Sequence, residues 1–422
     1  MFKLFKDSTI SLSYKLISVF LKFLLLYIIT NIYGAENYGA YVFAISIFLF
    51  LNTLFRFGFD IYIQKFTAEL LNVNNKNKGQ LKFLQTASIS VFTILIITLL
   101  IKFYFIFIPE KQLLKSLYFS ELIIYGSVYA FYWMTSYYFR GIGKGKTSVF
   151  VMEIVQPLVN IFILLIFINF FENLLLPSEK IIHSFGLSII ICLTIFTVLE
   201  KFNFLAFYNK SSFFKKTILL EINNSKAFLF ISASGMLLAW VDTYIISFFV
   251  DNTEIGVYSL ASKLSFFILF PVSAVSIFFS NMLVGFFEKN DINSISFYLK
   301  KISIVLFFSS LMIFLVINFF NIEILQVFGK DFDEGESVLL FLSFGYLVSA
   351  IFGCFETVIL ISKHKNYLFK LNIIMIILNI LLNIPLVYFY GINGAAIGTL
   401  IVIIYSRLMQ VKFVKRSILT NN

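Results

Sequence analysis

Charge is what this chain has least of. Asp, Glu, Lys and Arg make up only 13% of its 422 residues, while 60% are hydrophobic and the mean hydropathy is +0.93. A soluble domain carries about a quarter charged residues. So much apolar surface cannot be kept from water, which excludes a soluble fold. Cysteine is limited to Cys192 and Cys354, both inside apolar runs. Two isolated thiols form neither a disulfide framework nor a thiolate metal site. His183 and His364 are too few and too scattered to ligate a metal. Only five prolines interrupt the chain, which suits long continuous helices. No loop is long enough for a folded catalytic domain. The basic, then apolar, N-terminal stretch has no small-x-small cleavage pattern and too long an apolar part for a signal peptide, so it reads as a retained first span.

What is present is apolar length. A span needs about 20 apolar residues. Such runs fall near 10–33, 38–59, 83–108, 113–139, 147–170, 181–199, 227–250, 255–285, 302–320, 337–361, 368–390 and 392–411. The eighth run is long and holds Pro271, so a kink is expected there. With twelve spans the loops alternate cleanly in charge. One side collects most of the 33 lysines and arginines, from Lys3 and Lys6 through Lys144 and Lys146 to Lys415 and Arg416. The other side holds only Lys102, Lys111, Lys115, Lys180 and Lys330, with acids such as Asp331, Asp333, Glu334 and Glu336. The positive-inside rule then places both termini in the cytoplasm. It also accounts for the net charge of +11, so no nucleic-acid partner is expected.

The expected organisation is an all-α integral membrane protein of two six-helix halves, residues 1–199 and 227–422, with a substrate path at their interface. The basic cytoplasmic loop 200–226 joins them. The halves resemble each other. Asn37-Tyr38-Gly39-Ala40-Tyr41 matches Glu254-Ile255-Gly256-Val257-Tyr258 at an offset of 217. Lys144, Lys146 and Asn160 match Lys363, Lys365 and Asn379 at 219. Nearly equal offsets at corresponding places argue for duplication, and repeated six-span halves are a transporter signature.

Two other motifs read as architecture. Gly391-Ile392-Asn393-Gly394-Ala395-Ala396-Ile397-Gly398 supplies small residues for close helix packing. Gly143-Lys144-Gly145-Lys146-Thr147 mimics the end of a phosphate-binding loop. It has Arg140 where the pattern needs glycine and no preceding strand, so ATP binding is rejected.

The candidate pathway residues are the charges inside the spans: Lys22, Arg56, Asp60, Glu121, Glu153, Asp242, Lys263 and Glu356. Asp242 and Lys263 flank the acidic turn Asp251-Asn252-Thr253-Glu254, each roughly 12 Å below the same membrane face at 1.5 Å per residue. Glu121 is about as deep. Arg56 and Asp60 are four apart and can pair. Glu153 and Glu356 lie nearer the cytoplasmic side, where they either snorkel or line a cavity. Ionisable groups at depth are expensive and normally face a bundle interior or a watery path. Cations and acids together suit an anionic head group.

Several stretches resemble a known family. Asp242 followed by Gly256-x-Tyr258-x-x-Ala261-x-Lys263-Leu264 is similar to spans seven and eight of Wzx-type bacterial polysaccharide flippases. Asn379, Asn383, Pro385 and Gly391-Ile392-Asn393-Gly394 resemble their last two spans, and Phe328-Gly329-Lys330 their outer loop before span ten. The resemblance implies the multidrug/oligosaccharidyl-lipid/polysaccharide exporter superfamily, whose members have two six-helix bundles around a central cleft, a MATE-like fold. It implies a non-enzymatic flippase in the bacterial inner membrane. The substrate would be an undecaprenyl-diphosphate-linked oligosaccharide, an O-antigen or capsule repeat unit for lipopolysaccharide or related glycans. It would move to the periplasmic leaflet by alternating access coupled to H+ or Na+, with no resident cofactor. Membrane lipid and other polysaccharide-assembly membrane proteins are the implied partners. By this likeness Lys22, Arg56 and Lys263 would meet the diphosphate or acidic sugars, and Asp242 would balance Lys263 or carry the coupling ion.

Two rivals differ in class. A drug/cation antiporter would favour acids over cations in its cleft. A glycan polymerase or ligase would carry a large outer loop with catalytic Arg or His, and the loop Asn321 to Glu336 contains neither.

Overall fold

The computed structural model describes residues 2–71, 76–107, 119–171, 175–200, 214–362 and 364–419, and these are helical almost throughout. The helices are α1 (Phe2–Arg56), α2 (Phe59–Leu71), α3 (Lys76–Phe107), α4 (Phe119–Gly141), α5 (Gly145–Phe170) and α6 (Pro177–Glu200). There follow α7 (Phe214–Ile246), α8 (Asn252–Glu288), α9 (Ile292–Phe319), α10 (Asn321–Gln326), α11 (Glu336–Ile351), α12 (Gly353–Ile361) and α13 (Lys365–Val414). Among the described residues, nine helices are long and apolar enough to cross a membrane. Two of the nine are each two spans, because α1 breaks at Gly34 (φ 74°) and α13 at Gly391 (φ 56°). Such positive φ is open to glycine and strained for other residues. The 23-residue α4, made less apolar by its many Tyr and its Ser, Thr and Trp residues, completes twelve spans. The protein is a multi-pass, all-α membrane protein, as the sequence requires.

The exposed surface is apolar on the outside, as lipid contact demands. On α9, Ile304, Phe308, Met312, Leu315 and Phe319 form one exposed stripe, with Phe319 79% exposed. The opposite stripe, Leu299, Leu306, Ser310 and Ile317, is buried. In water the exposed stripe would be polar instead.

The chain divides into two compact units. The first comprises residues 1–29 and 44–236, the second 30–43 and 237–422. The turn between the first two spans therefore belongs to the second unit. Helix α7 begins in the first unit and ends in the second. Its first turns occupy residues 214–226, which the sequence reads as loop; residues 201–213 lie outside the described ones, as do Lys111 and Lys115.

In the first unit, α1 ends at Arg56 in a left-handed pair, Phe57 (φ 50°) and Gly58 (φ 74°). Ending a helix orphans its last carbonyls. The Phe55 carbonyl is recovered by Ser90 Oγ at 2.6 Å and Thr93 Oγ1 at 2.9 Å from α3. Gly58 lies so close to the α7 backbone at Ser225 and Leu229 that a Cβ there would collide with it. Two buried carboxylates tie the basic-loop side together. Glu221 of α7 receives Lys82, whose ammonium lies over the rings of Tyr62 and Phe66. Glu200 accepts from Lys144 Nζ at 2.8 Å, Tyr138 Oη at 3.2 Å and Gln80 Nε2 at 3.3 Å. Glu200→Gln keeps the shape but weakens charge-assisted bonds in a buried site. It is expected to cost about 1–2 kcal/mol, seen as a lower thermal midpoint in detergent; an unchanged midpoint would remove Glu200 from the framework.

In the second unit, α8 tightens to a 3₁₀ stretch at Phe266–Leu269 just before Pro271, the expected kink. The loosened Ile268 carbonyl is taken up by Ser310 Oγ of α9 at 2.9 Å. Asp251 caps α8, accepting from the Glu254 amide at 2.9 Å. The tenth span is divided at Phe352 into α11 and α12.

The repeated turns meet inside this unit. Gly39 packs on the Asn252 carbonyl and the Gly256 amide, while Gly256 packs on the Ala35 carbonyl and the Gly39 amide. Ala35 and Asn252 are themselves 217 apart, the offset of the duplication. Ala35-x-x-x-Gly39 is thus one side of a reciprocal small-residue contact, the kind that brings membrane helices to backbone distance.

Candidate functional site

The second unit gathers polar side chains from α8 and both arms of α13 around Asp242 of α7. Asn379 and Asn383 stand one helical turn apart on the first arm of α13 and so share a face. Past Gly391 the second arm packs back closely, Gly394 against the Leu386 carbonyl and Gly398 against the Asn383 side chain. That return brings Thr399 to the same place. Asp242 Oδ1 accepts from Asn383 Nδ2 at 2.7 Å. Its Oδ2 accepts from Thr399 Oγ1 at 2.9 Å and Tyr258 Oη at 3.2 Å. Asn383 Nδ2 also donates to Asn379 Oδ1 at 2.7 Å. A carboxylate in an apolar surround is stabilised by such donors. All of these partners are neutral.

Lys263 takes a different partner. Its Nζ donates to Tyr38 Oη at 2.7 Å and lies over the Tyr38 ring at 5.1 Å from the centroid. Tyr38 is fully buried and fixed by the Gly39 packing, whereas the Lys263 side chain is exposed. The partners found for Asp242 and for Lys263 do not include each other.

The first unit places the remaining candidates in separate pairs. Lys22 Nζ meets Glu153 Oε2 at 2.7 Å, and Ser18 Oγ donates to the same oxygen at 2.6 Å. Arg56 and Asp60 pair at 2.6 Å, both buried, across the helix break at Phe57 and Gly58 rather than along one helix. The Arg56 guanidinium lies 5.0 Å over the Trp133 ring. Glu121 stands in the first turn of α4. In the second unit Glu356 accepts from Arg407 Nη1 at 2.8 Å, and Arg407 Nε donates to Ser349 at 2.9 Å. Ser18, Thr399 and Arg407 carry contacts that the sequence reading did not single out, while Tyr38 and Tyr258 entered it only through the repeat and the family motif. Arg407 was hidden among the basic-side cations, and hydroxyls in an apolar helix leave no pattern. No cluster of three or more His, Cys, Asp or Glu able to hold a metal occurs among the described residues.

Relatives identify the architecture. A family described as polysaccharide biosynthesis protein matches residues 4–269, more than half the chain. The chain belongs to that family. Among its relatives, the probable flippase AglR of Haloferax volcanii is 27% identical over 193 residues, 43% of this chain and 39% of that protein. The chain thus spans less than half the length of the curated relatives it matches. Solved structures share the fold across nearly the whole chain. The lipid II flippase MurJ, in an inward closed conformation, is 18% identical with a TM-score of 0.72, covering 97% of this chain and 87% of that one. An inward-facing multidrug resistance MATE family transporter of the MOP superfamily is 14% identical with a TM-score of 0.69, covering 93% and 96%. The expected MATE-like architecture of twelve helices is therefore the observed one.

Proposed function

We propose that this protein flips a lipid-linked oligosaccharide across the membrane. The cargo is an undecaprenyl-diphosphate-linked O-antigen or capsule unit, carried from the cytoplasmic to the periplasmic leaflet of the bacterial inner membrane. The observation that carries this reading is an exposed lysine, Lys263, in an apolar helix, held by a phenol and a ring rather than by a carboxylate. Neutral partners leave its charge for a ligand, and the ligand that fits is anionic. In the first unit Lys22 is also exposed, and its partner there is Glu153. Arg56 is buried against Asp60 and Trp133, and in this reading it holds the first unit in shape. The names of AglR and MurJ support a flippase, and the exposed lysines disfavour a cation antiporter.

Asp242 is the coupling group in this reading. Its surround offers the carboxylate, the Asn379 oxygen and the hydroxyls of Thr399 and Tyr258, with the Asn383 oxygen buried and without a hydrogen-bond partner. Carboxylate, amide and hydroxyl oxygens suit hard cations or a proton. Such a set would hold H+ or Na+ and offset the carboxylate's charge.

Lys263→Ala tests the head-group role. Surface glycan in a complementation assay is expected to fall by about 10-fold or more, the worth of one charge-assisted contact, while Lys263→Arg retains most of it. Unchanged glycan in the alanine variant would take Lys263 out of the path.

A further inference from the structure

In the first unit the Lys22–Glu153 pair has a third member. Ser18 and Lys22 lie one turn apart on α1, and both donate to a single oxygen, Glu153 Oε2. The pair is open on one side, with the side chains of Lys22 55% and Glu153 27% exposed. Glu153 is the middle residue of a five-residue π-turn, Val151–Val155, with α-helix on either side. A π-turn holds one inserted residue at a cost in backbone energy, and such turns concentrate at functional sites. Relaxing it to α-helix shifts the register by one residue, a rotation of about 100°. That rotation would carry Glu153 off α1. The neighbouring Met152 already faces another cation: Arg140 Nη2 lies 3.4 Å from its sulfur. Arg140 is otherwise held by Ser148 Oγ at 3.2 Å and the Tyr137 ring at 4.7 Å, none of them anionic.

We propose that Glu153 is a tethered counter-ion that occupies the place of a substrate phosphate oxygen. This rests on the flippase reading and adds a selectivity device to it. A hydroxyl and an ammonium converging on one oxygen are what a phosphoryl oxygen takes. An incoming head group displaces Glu153, which withdraws toward Arg140 as the π-turn relaxes. The exchange discriminates by charge. A phosphodiester carries one negative charge, like the carboxylate it would replace, and gains nothing over it. A prenyl diphosphate carries more and wins the exchange. Bulk phospholipids, which greatly outnumber the substrate, are thereby kept out of the site.

The test compares wild type, Glu153→Gln and the double variant Lys22→Gln/Glu153→Gln in nanodiscs. The probes are undecaprenyl diphosphate and the monoanionic phosphatidylglycerol. Wild type is expected to bind the diphosphate and to reject phosphatidylglycerol. Glu153→Gln is expected to bind the diphosphate about 10-fold tighter and to admit phosphatidylglycerol. The double variant should lose both gains. A gain of binding cannot come from misfolding, and the neutral double variant controls for the loss of the ion pair itself. If wild type binds the diphosphate and Glu153→Gln shows equal or weaker affinity with no phosphatidylglycerol binding, the counter-ion role is overturned and the flippase reading stands. Retention of the gains in the double variant also overturns it. If wild type binds no prenyl diphosphate, the substrate reading falls and this proposal falls with it.

Discussion

Replacing Asp242 with asparagine is expected to stop transport while leaving the protein folded in the membrane. Asparagine fills the same space, so packing against Asn383, Thr399 and Tyr258 is kept. The change removes the charge and places an amide donor where an acceptor stood. One of the three neighbouring donors then loses its partner, a cost of about 1–3 kcal/mol in stability. The larger effect is on function. A carboxylate buried among neutral donors is expensive to keep in an apolar helix, and such groups mark ion paths. If it binds the coupling ion, turnover should fall by about 100-fold or more, on the order of 2.7 kcal/mol in the barrier. The measurement is flipping of a lipid-linked glycan in proteoliposomes, with and without a proton or sodium gradient. An asparagine variant that keeps wild-type turnover and gradient dependence would make Asp242 a structural hydrogen-bond acceptor and nothing more.

Gly39→Val should act on the fold instead. A Cβ at position 39 would stand about 2.8 Å from the Gly256 amide nitrogen and closer still to the Asn252 carbonyl. Both obstacles are backbone and cannot turn aside as a side-chain tip would. Overpacking a tight contact costs about 1–3 kcal/mol and sometimes more, and the two extra methyl groups of valine put this case at the upper end. The expected result is little monodisperse protein in detergent and loss of the Tyr38 anchor for Lys263. Gly256→Val should match it, because the contact is reciprocal. The double variant should cost less than the two singles combined, since both break one interface. Normal yield and an unshifted thermal midpoint for Gly39→Val would show that these turns do not meet as described.

Much of this protein could be read from its residues in order. The spans follow from apolar runs, and their breaks at Gly34 and Gly391 lie at or next to the predicted span ends. Pro271 announced the kink in α8. The repeat of Gly39 and Gly256 was visible, but not that the two glycines touch. Asp242, Lys22 and Lys263 stood out because charge is rare here. Their partners did not, because hydrogen bonds such as Asn383 to Asp242 or Lys22 to Glu153 join residues more than a hundred positions apart. Arg56 and Asp60 have helical spacing, yet they pair across a left-handed break that their spacing does not reveal. Nothing in Val151–Val155 foretells a π-turn, since the insertion is set by packing against neighbouring helices.

The sequence by itself determined that the chain must live in lipid, that it is helical, and where it can afford charge. The reason is solvent: hydrocarbon accepts only helices with satisfied backbones and tolerates few ions. The tertiary structure alone decided which ion meets which partner. It gave Asp242 neutral amides and hydroxyls, left Lys263 a phenol, and set Glu153 on Lys22. Those choices depend on where distant helices cross, and helix crossings are fixed by packing at glycine contacts rather than by the local order of residues.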